Sequence, residues 1–374
     1  MNMRIHVINS VGIMNRGGQE TLLMNVLKNI DKSKFQYDFL CSSHRKGDYD
    51  DEIKSLGSKV YLLPSNSLSG KRIIGYFGDV YKYYSFFKNN KDIDILHIHS
   101  YHAFSFFIQV LGAKLGGCKS IVVHSHNSNA PHPRLHLVFR RFLSLFKIKK
   151  LACSELAASW MYGNSTDRVE VIKNGIILKD FDFNEDWRIE KRKELGISEE
   201  TLLVGHVGRL DYQKNHSFLL DIFSEVIKLA PSAMLVLVGK GPLENEIRAK
   251  IKALNLNDKV LLLGTRSDVN QLYSCFDVFL FPSLFEGLSV VLVEAQATGL
   301  QCVISDTNSK EVGLTKCVTF LSLNKSPNEW AQVVVKQATK QHEDTHQEMR
   351  KSGYDIVTST RKLESIYNDI MCHK

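Results

Sequence analysis

A chain of 374 residues with 44% apolar and 24% charged side chains has the make-up of an ordinary globular protein, with room for two or three domains that each bury a core. Its net charge of +8 is uneven: residues 1–178 carry 24 Lys+Arg against 13 Asp+Glu, and residues 179–374 carry 24 against 27, so one half is suited to an anionic partner. Seven scattered cysteines without a C-x-x-C pair argue against a disulfide framework or structural zinc and for a reducing cytoplasm. No apolar run reaches the roughly eighteen residues of a spanning helix, and MNMRIHVINSVGIMNRGG turns polar too early for a signal peptide.

In chain order, MRIHVINS predicts a first strand that leads through Gly17-Gly18 into the helix GQETLLMNVLKNI. YDFLCSS and KVYLLPS follow as strands, then the aromatic, basic segment KRIIGYFGDVYKYYSFFKNNK at residues 71–91. ILHIHS, SIVVHSH, LACS and VEVIKNG complete the strands of the first half. LLVGHVG, MLVLVG, VLLLG, VFLFPS, CVIS and VTFLSL supply those of the second, interleaved with helices such as FLLDIFSEVIKLA and LENEIRAKIKALNL. Continuous apolar strands alternating with helices predict parallel sheets covered on both faces. Thirteen strands are too many for one comfortable open sheet. The stretch NGIILKDFDFNEDW, residues 174–187, loses apolar periodicity and marks the seam. The expected architecture is therefore α/β, with two doubly wound Rossmann-like domains at 1–178 and 179–374 facing across a cleft, and the last helix packing back toward the first.

Two glutamates raise a chemical question. Glu286 and Glu294 bracket an apolar run in EGLSVVLVE, directly after the strand VFLFPS. Glu286 then stands in the loop at the strand's carboxyl end and Glu294 within the first two turns of the next helix. The N–H groups of Gly287, Leu288 and Ser289 open that helix and form a natural phosphate seat. Carboxylates repel phosphate but accept hydrogen bonds from diols, so the set suits a sugar linked to a nucleoside diphosphate.

This pattern resembles the E-x7-E motif of retaining glycosyltransferases of family 4, which have the GT-B fold. The similarity extends to Gly17-Gly18 with Glu20, His126-Asn127, Val171-Ile172-Lys173-Asn174-Gly175, Gly208-Arg209 and Lys214-Asn215. The resemblance implies that Glu286 holds hydroxyls of the transferred sugar, Glu294 the ribose, and Arg209 with Lys214 the diphosphate. It places Gly17 and Gly18 at an acceptor or phosphate loop and His126 beside the transferred sugar, with Glu286, Arg209, Lys214 and His126 as the catalytic set. Lys240 in VGKGPLE stands where an acidic residue is usual, and Ser289 where proline or glycine is frequent.

His97 and His99, like His124 and His126, alternate onto one strand face, but no carboxylate or cysteine accompanies them at ligand spacing, so no metal is expected. Asp92-Ile-Asp94 and Asp180-Phe-Asp182 read as solvated turns. In PHPRLHLVFRRFLSLFKIKK, residues 131–150, a stripe of Leu135, Val138, Phe139, Phe142, Leu145 and Phe146 is bordered by Arg134, Arg140, Arg141, Lys147, Lys149 and Lys150. That pattern suits a helix lying on an anionic membrane, the alternative being a core helix with a basic back. No nucleic-acid module appears.

The sequence thus predicts a metal-independent enzyme that needs no cofactor besides its donor substrate. It would move a hexose or N-acetylhexosamine from a UDP-sugar to a lipid-linked saccharide, peripheral on the cytoplasmic face of the plasma membrane, and the resemblance implies a place in exopolysaccharide or capsule synthesis. A sugar-nucleotide epimerase of similar fold and a silent sugar-nucleotide-binding subunit are the alternatives.

Overall fold

The computed structural model describes residues 4–65, 74–100, 102–126, 133–163, 169–286 and 289–372. The chain divides into two compact units, residues 1–175 with 356–374, and residues 176–355.

In the first unit, β1 (Ile5–Val11), β2 (Phe35–Cys41), β3 (Val60–Leu62), β4 (Ile95–Ser100), β5 (Ser120–Ser125), β6 (Lys149–Ala152) and β7 (Val169–Val171) form one parallel sheet in the order β3-β2-β1-β4-β5-β6-β7. In the second, β8 (Leu203–Val207), β9 (Met234–Val238), β10 (Val260–Gly264), β11 (Val278–Phe281), β12 (Cys302–Ser305) and β13 (Val318–Leu321) take the order β10-β9-β8-β11-β12-β13. Both are doubly wound. The strand order reverses between β1 and β4 and again between β8 and β11, and the crevice outside the carboxyl ends at such a reversal is where α/β sheets bind ligands.

Alternation along the strands of the second unit explains their unbroken apolar character. Val204, Leu235, Leu237, Val278 and Leu280 pack on one face with the helices His216–Leu229 and Pro327–Ala338. Leu203, Val207, Val236, Val238, Phe279 and Phe281 pack on the other. Every strand position is buried or half-buried, so no strand turns a polar side to solvent. In the first unit Ile8, Leu96, Ile98, Ile121 and Val123 join one such core. The opposite face carries Asn9, His97, His99 and His124 instead, all buried. Strand register sets Asn9 beside His97 and His99 beside His124.

The division falls at Gly175 and Ile176 rather than at residues 178 and 179, because Ile176 and Leu178 bury against Val293, Ala297, Met349 and Tyr354 of the second unit. The Ile176 N–H also donates to the Tyr354 carbonyl at 2.9 Å. The chain returns to the first unit at Ile356, so residues 356–374 leave the range 179–374. There the helix Ile356–Cys372 buries Tyr367, whose ring lies 5.9 Å from that of Phe35. Its Glu364 accepts the Asp31 N–H at 2.7 Å.

Candidate active site

The switch point of the second unit is built from the loops after β8 and β11. The first, from Gly208, is held against the turn after β9: Gly208 N–H donates to the Val238 carbonyl, Leu210 N–H to Lys240, and Leu243 N–H to Leu210. Gly239 makes this approach possible. It has φ +137°, and a Cβ there would come within 2.0 Å of the Gly208 carbonyl oxygen. The loop then makes a short 3-10 turn over Tyr212–Lys214, and left-handed Asn215 (φ 56°, ψ 44°) starts the helix His216–Leu229. Asn215 Nδ2 donates to the Pro282 carbonyl at 3.1 Å, Leu284 N–H to Gln213 at 2.9 Å, and Gln213 Nε2 to Phe285 at 2.9 Å. Three cross-links thus fasten one loop to the other.

Those links bring Lys214 to Glu286. The ammonium lies 2.6 Å from Glu286 Oε1 and 4.6 Å over the Phe281 ring, with the two side chains 13% and 8% exposed. The sequence reading gives Lys214 to a diphosphate and Glu286 to sugar hydroxyls; here they neutralise each other, as two nearly dry charges must. Glu286 also bridges to Asn308 in parallel fashion. Arg209, by contrast, is 72% exposed, and its Nε is 3.9 Å from Asp211 Oδ2. It is a cation with little to hold it in place.

Glu294 lies in the helix Val290–Ala297, whose N-cap is Ser289, with no side-chain cap bond. Gly287 and Leu288 of the expected phosphate seat lie outside the described residues. Burial pushes the Glu294 carboxyl up to about 7, opposed by the Tyr273 hydroxyl, which donates to Oε2 at 3.0 Å. Sequence reasoning missed Tyr273, since nothing in the spacing links it to a glutamate 21 residues onward. Its only signal is a hydroxyl-bearing ring on the inward face of a short helix.

In the first unit, Gly17 is the N-cap of the helix Gly18–Asn29. A Cβ at Gly17 would meet Glu20 Oε2 at 2.4 Å, so the Glu20 carboxyl sits at the helix start, buried and with its pKa raised by that burial. Glu20 thus shares the helix start with Gly17 and Gly18, the residues expected at an acceptor or phosphate loop, and its carboxyl is an acceptor for hydroxyls. His126 follows β5, and its Nε2 is 2.8 Å from His99 Nδ1. His97, His99 and His124 bring one ring nitrogen each within 4.8 Å of one another. Both nitrogens of His99 are already committed, to His126 and to Asn9, so the three do not present three free ligands.

The basic segment is divided in its roles. In the helix Pro133–Leu143, His136 and Leu143 are buried, and Phe139 packs on Phe104 and Phe107 at 4.5 and 5.3 Å. Leu135, Val138, Phe142 and Leu145 remain exposed at 41%, 53%, 43% and 75%, a row at helical spacing on the outer side. Arg134, Arg141 and Lys147 are exposed as well. The other three cations are half-buried and have partners within the unit. Arg140 donates to the Trp160 carbonyl at 3.2 Å, Lys149 pairs with Glu170, and Lys150 lies 5.5 Å over the Tyr162 ring.

Comparison with known proteins follows this division. The family profile "Glycosyltransferase Family 4" matches residues 16–180, and "Glycosyl transferases group 1" matches residues 188–355. EpsF of Bacillus subtilis (strain 168), whose name assigns it to the glycosyltransferases, is 36% identical over 97% of this chain and 96% of its own. The UDP-Gal:alpha-D-GlcNAc-diphosphoundecaprenol alpha-1,3-galactosyltransferase of Escherichia coli is 26% identical over 78% of this chain and 79% of its own. Among solved structures, Anabaena HepE in complex with UDP and glucose superposes with a TM-score of 0.78 at 17% identity, covering 98% of this chain and 100% of that one. With one relative matched along nearly its whole length and a glycosyltransferase profile on each half, the chain belongs to the family 4 and group 1 glycosyltransferases and has the GT-B fold.

Proposed function

We propose that this glycosyltransferase is a retaining, metal-independent enzyme that transfers a hexose or N-acetylhexosamine from a UDP-sugar to a lipid-linked saccharide. The observation that carries the reading is the Lys214–Glu286 pair at the switch point of the second sheet. A diphosphate is a better partner for the ammonium, and sugar hydroxyls are natural donors to the carboxylate. A nucleoside diphosphate sugar replaces both halves of the pair at once. Glu294 beyond it offers the ribose an acceptor, and exposed Arg209 can close on the diphosphate without giving up a strong bond. Cations supply the charge stabilisation where negative charge develops on the leaving group. The bond from the anomeric carbon to the diphosphate breaks, a bond to the acceptor oxygen forms on the same face, and the acceptor proton passes to the departing diphosphate oxygen.

The choice of UDP draws support from the UDP complex of HepE, and the lipid-linked acceptor from the diphosphoundecaprenol substrate named for the Escherichia coli relative. Exopolysaccharide or capsule assembly draws support from CapH of Staphylococcus aureus, a capsular polysaccharide biosynthesis glycosyltransferase 24% identical over 97% of this chain and 98% of its own. The exposed row Leu135, Val138, Phe142 and Leu145, with Arg134, Arg141 and Lys147, favours docking on an anionic membrane at the cytoplasmic face. No helix among the described residues is long and apolar enough to cross one.

The deciding experiment incubates the purified chain with a panel of UDP-sugars and undecaprenyl-diphosphate saccharides. Mass spectrometry identifies the product and NMR its anomeric configuration. A product with the donor's configuration supports the reading. An inverted product overturns the retaining mechanism, and transfer only from other nucleotides overturns the donor.

A further inference from the structure

Nothing in the transfer chemistry explains why the sheet face below His126 is lined with Asn9, His97, His99 and His124. Their hydrogen bonds, followed one at a time, determine where the protons are. Asn9 Nδ2 donates to the Asp38 carbonyl at 3.1 Å, which turns Asn9 Oδ1 toward His99 Nε2 at 3.2 Å. An amide oxygen only accepts, so His99 carries a proton on Nε2. His99 is buried and its imidazole is held neutral, with its pKa well below the ordinary range because burial penalises charge and His97 and His126 lie near. Its ring centroid is 4.1 Å from that of His97 and 5.4 Å from that of His124, which further disfavours any cation there.

A neutral His99 protonated on Nε2 has a bare lone pair on Nδ1. That atom is 2.8 Å from His126 Nε2, so His126 must be the donor and carry its proton there. Burial holds the His126 pKa down at about 3, so this ring too is neutral. Its Nδ1 is then a lone pair, enclosed and without a partner among the described residues, on a residue that is half-buried overall. A buried acceptor left unmet is costly, and substrate is the natural source of its donor.

We infer that Asn9 and His99 are positioning residues that lock His126 in the Nε2–H tautomer, so that His126 Nδ1 is a fixed acceptor for one hydroxyl of the sugar substrate. The identity of that substrate rests on the function proposed above; the tautomer is a property of the chain alone. A site that accepts from a hydroxyl discriminates strongly against the analogue lacking it, because the acceptor is then stranded. Asn9 and His99 therefore act on specificity from beneath, without touching substrate.

Long-range 1H–15N NMR of the chain labelled at histidine tests this, with the His126 signals assigned by their loss in His126→Gln. Wild type should show His126 as a single neutral Nε2–H form. Asn9→Leu frees His99 to move its proton to Nδ1 and should give a mixture of His126 tautomers. In that variant kcat/KM for the donor should fall tenfold or more while UDP affinity is unchanged. His99→Gln, whose amide oxygen can accept from His126 Nε2–H, should keep the single tautomer. An Nδ1–H or cationic His126 in wild type overturns the proposal, and so does Asn9→Leu with tautomer and kcat/KM intact. The wild-type spectrum decides even where a variant fails to fold. A chain that transfers no sugar from any nucleotide overturns the function proposed above and leaves the spectrum to judge the relay.

Discussion

Lys214 Nζ and Glu286 Oε1 are 2.6 Å apart, although 72 residues separate them in the chain. Each comes from the loop after a strand flanking the switch point of the second sheet, and each is the other's counter-charge when no ligand is bound. This double duty separates stability from catalysis. Lys214→Ala strands a carboxylate in a nearly dry site and should lower Tm as well as slow turnover by about 10²–10³-fold. Adding Glu286→Gln should restore Tm and leave turnover low. Arg209→Ala, at an exposed side chain, should slow turnover on a similar scale with Tm unchanged. Thermal melts beside initial rates give the answer. Normal turnover in Lys214→Ala or Arg209→Ala removes that cation from the diphosphate clamp.

The two glutamates should divide their labour. Glu286→Gln should impair sugar transfer more than UDP binding, and Glu294→Gln the reverse, because only the second carboxylate is assigned to the ribose. Titration calorimetry with UDP alone measures this. Equal losses of UDP affinity in the two variants reject the division.

Glu294 also predicts a pH dependence with a definite sign. Its folded pKa of about 7 lies above the ordinary 4.5, so the folded chain holds the proton more tightly than the unfolded chain. The resulting stability is complete below pH 4.5, falls between about 4.5 and 7, and is constant above that window. Glu294→Gln lacks this term, so its Tm should gain on wild type by a few degrees across the window. Ribose hydroxyls favour the ionised carboxyl, so UDP binding near pH 7 should release a proton, seen as a heat that varies with the buffer's ionisation enthalpy. Parallel Tm profiles for the two proteins would place the titration elsewhere.

The strands were legible in the sequence because both faces of each sheet are covered, which makes the strands largely apolar; the buried row Asn9, His97, His99 and His124 is the exception. Lys214, Glu286 and Glu294 were legible as residues, each at a strand's carboxyl end or the helix after it. Their partners were not. Lys214 meets Glu286 and Tyr273 meets Glu294 only through tertiary contacts, which no local spacing encodes. The same gap explains the basic segment, where Arg140, Lys149 and Lys150 count as surface cations until Trp160, Glu170 and Tyr162 come into view. Asn9 did leave a trace: an amide in the middle of the buried strand IHVINSV demands a partner.

Turnover should survive EDTA. Lys214, Arg209 and the donors at the start of the Val290–Ala297 helix carry the diphosphate charge in the proposed mechanism, which leaves no task for a divalent ion. Rates measured before and after chelation, and again with added Mg²⁺ or Mn²⁺, test it. Loss on chelation with recovery on metal addition counts against the mechanism.

The outer side of the Pro133–Leu143 helix and the turn after it supplies the last prediction. Leu135, Val138, Phe142 and Leu145 are exposed in a row, bordered by Arg134, Arg141 and Lys147, whose side chains have no partner among the described residues, unlike those of Arg140, Lys149 and Lys150. Each free cation near an anionic bilayer contributes about 1 kcal/mol, and the apolar row adds insertion. Binding should therefore require anionic lipid and should weaken, without vanishing, as salt screens the charge. Replacing Arg134, Arg141 and Lys147 with Gln should cost on the order of 3 kcal/mol, a hundredfold or more in vesicle affinity. Leu145→Ser with Val138→Ser should remove the salt-resistant part. Neither set touches the buried side of the helix, so folding and hydrolysis of soluble UDP-sugar should be unaffected. Replacing Arg140, Lys149 and Lys150 should instead lower Tm and change vesicle binding little. Flotation with vesicles of phosphatidylglycerol and phosphatidylcholine, against phosphatidylcholine alone, reads all three. Wild type that ignores anionic vesicles, or a Gln triple variant that floats as well as wild type, would show that this face serves something other than a membrane.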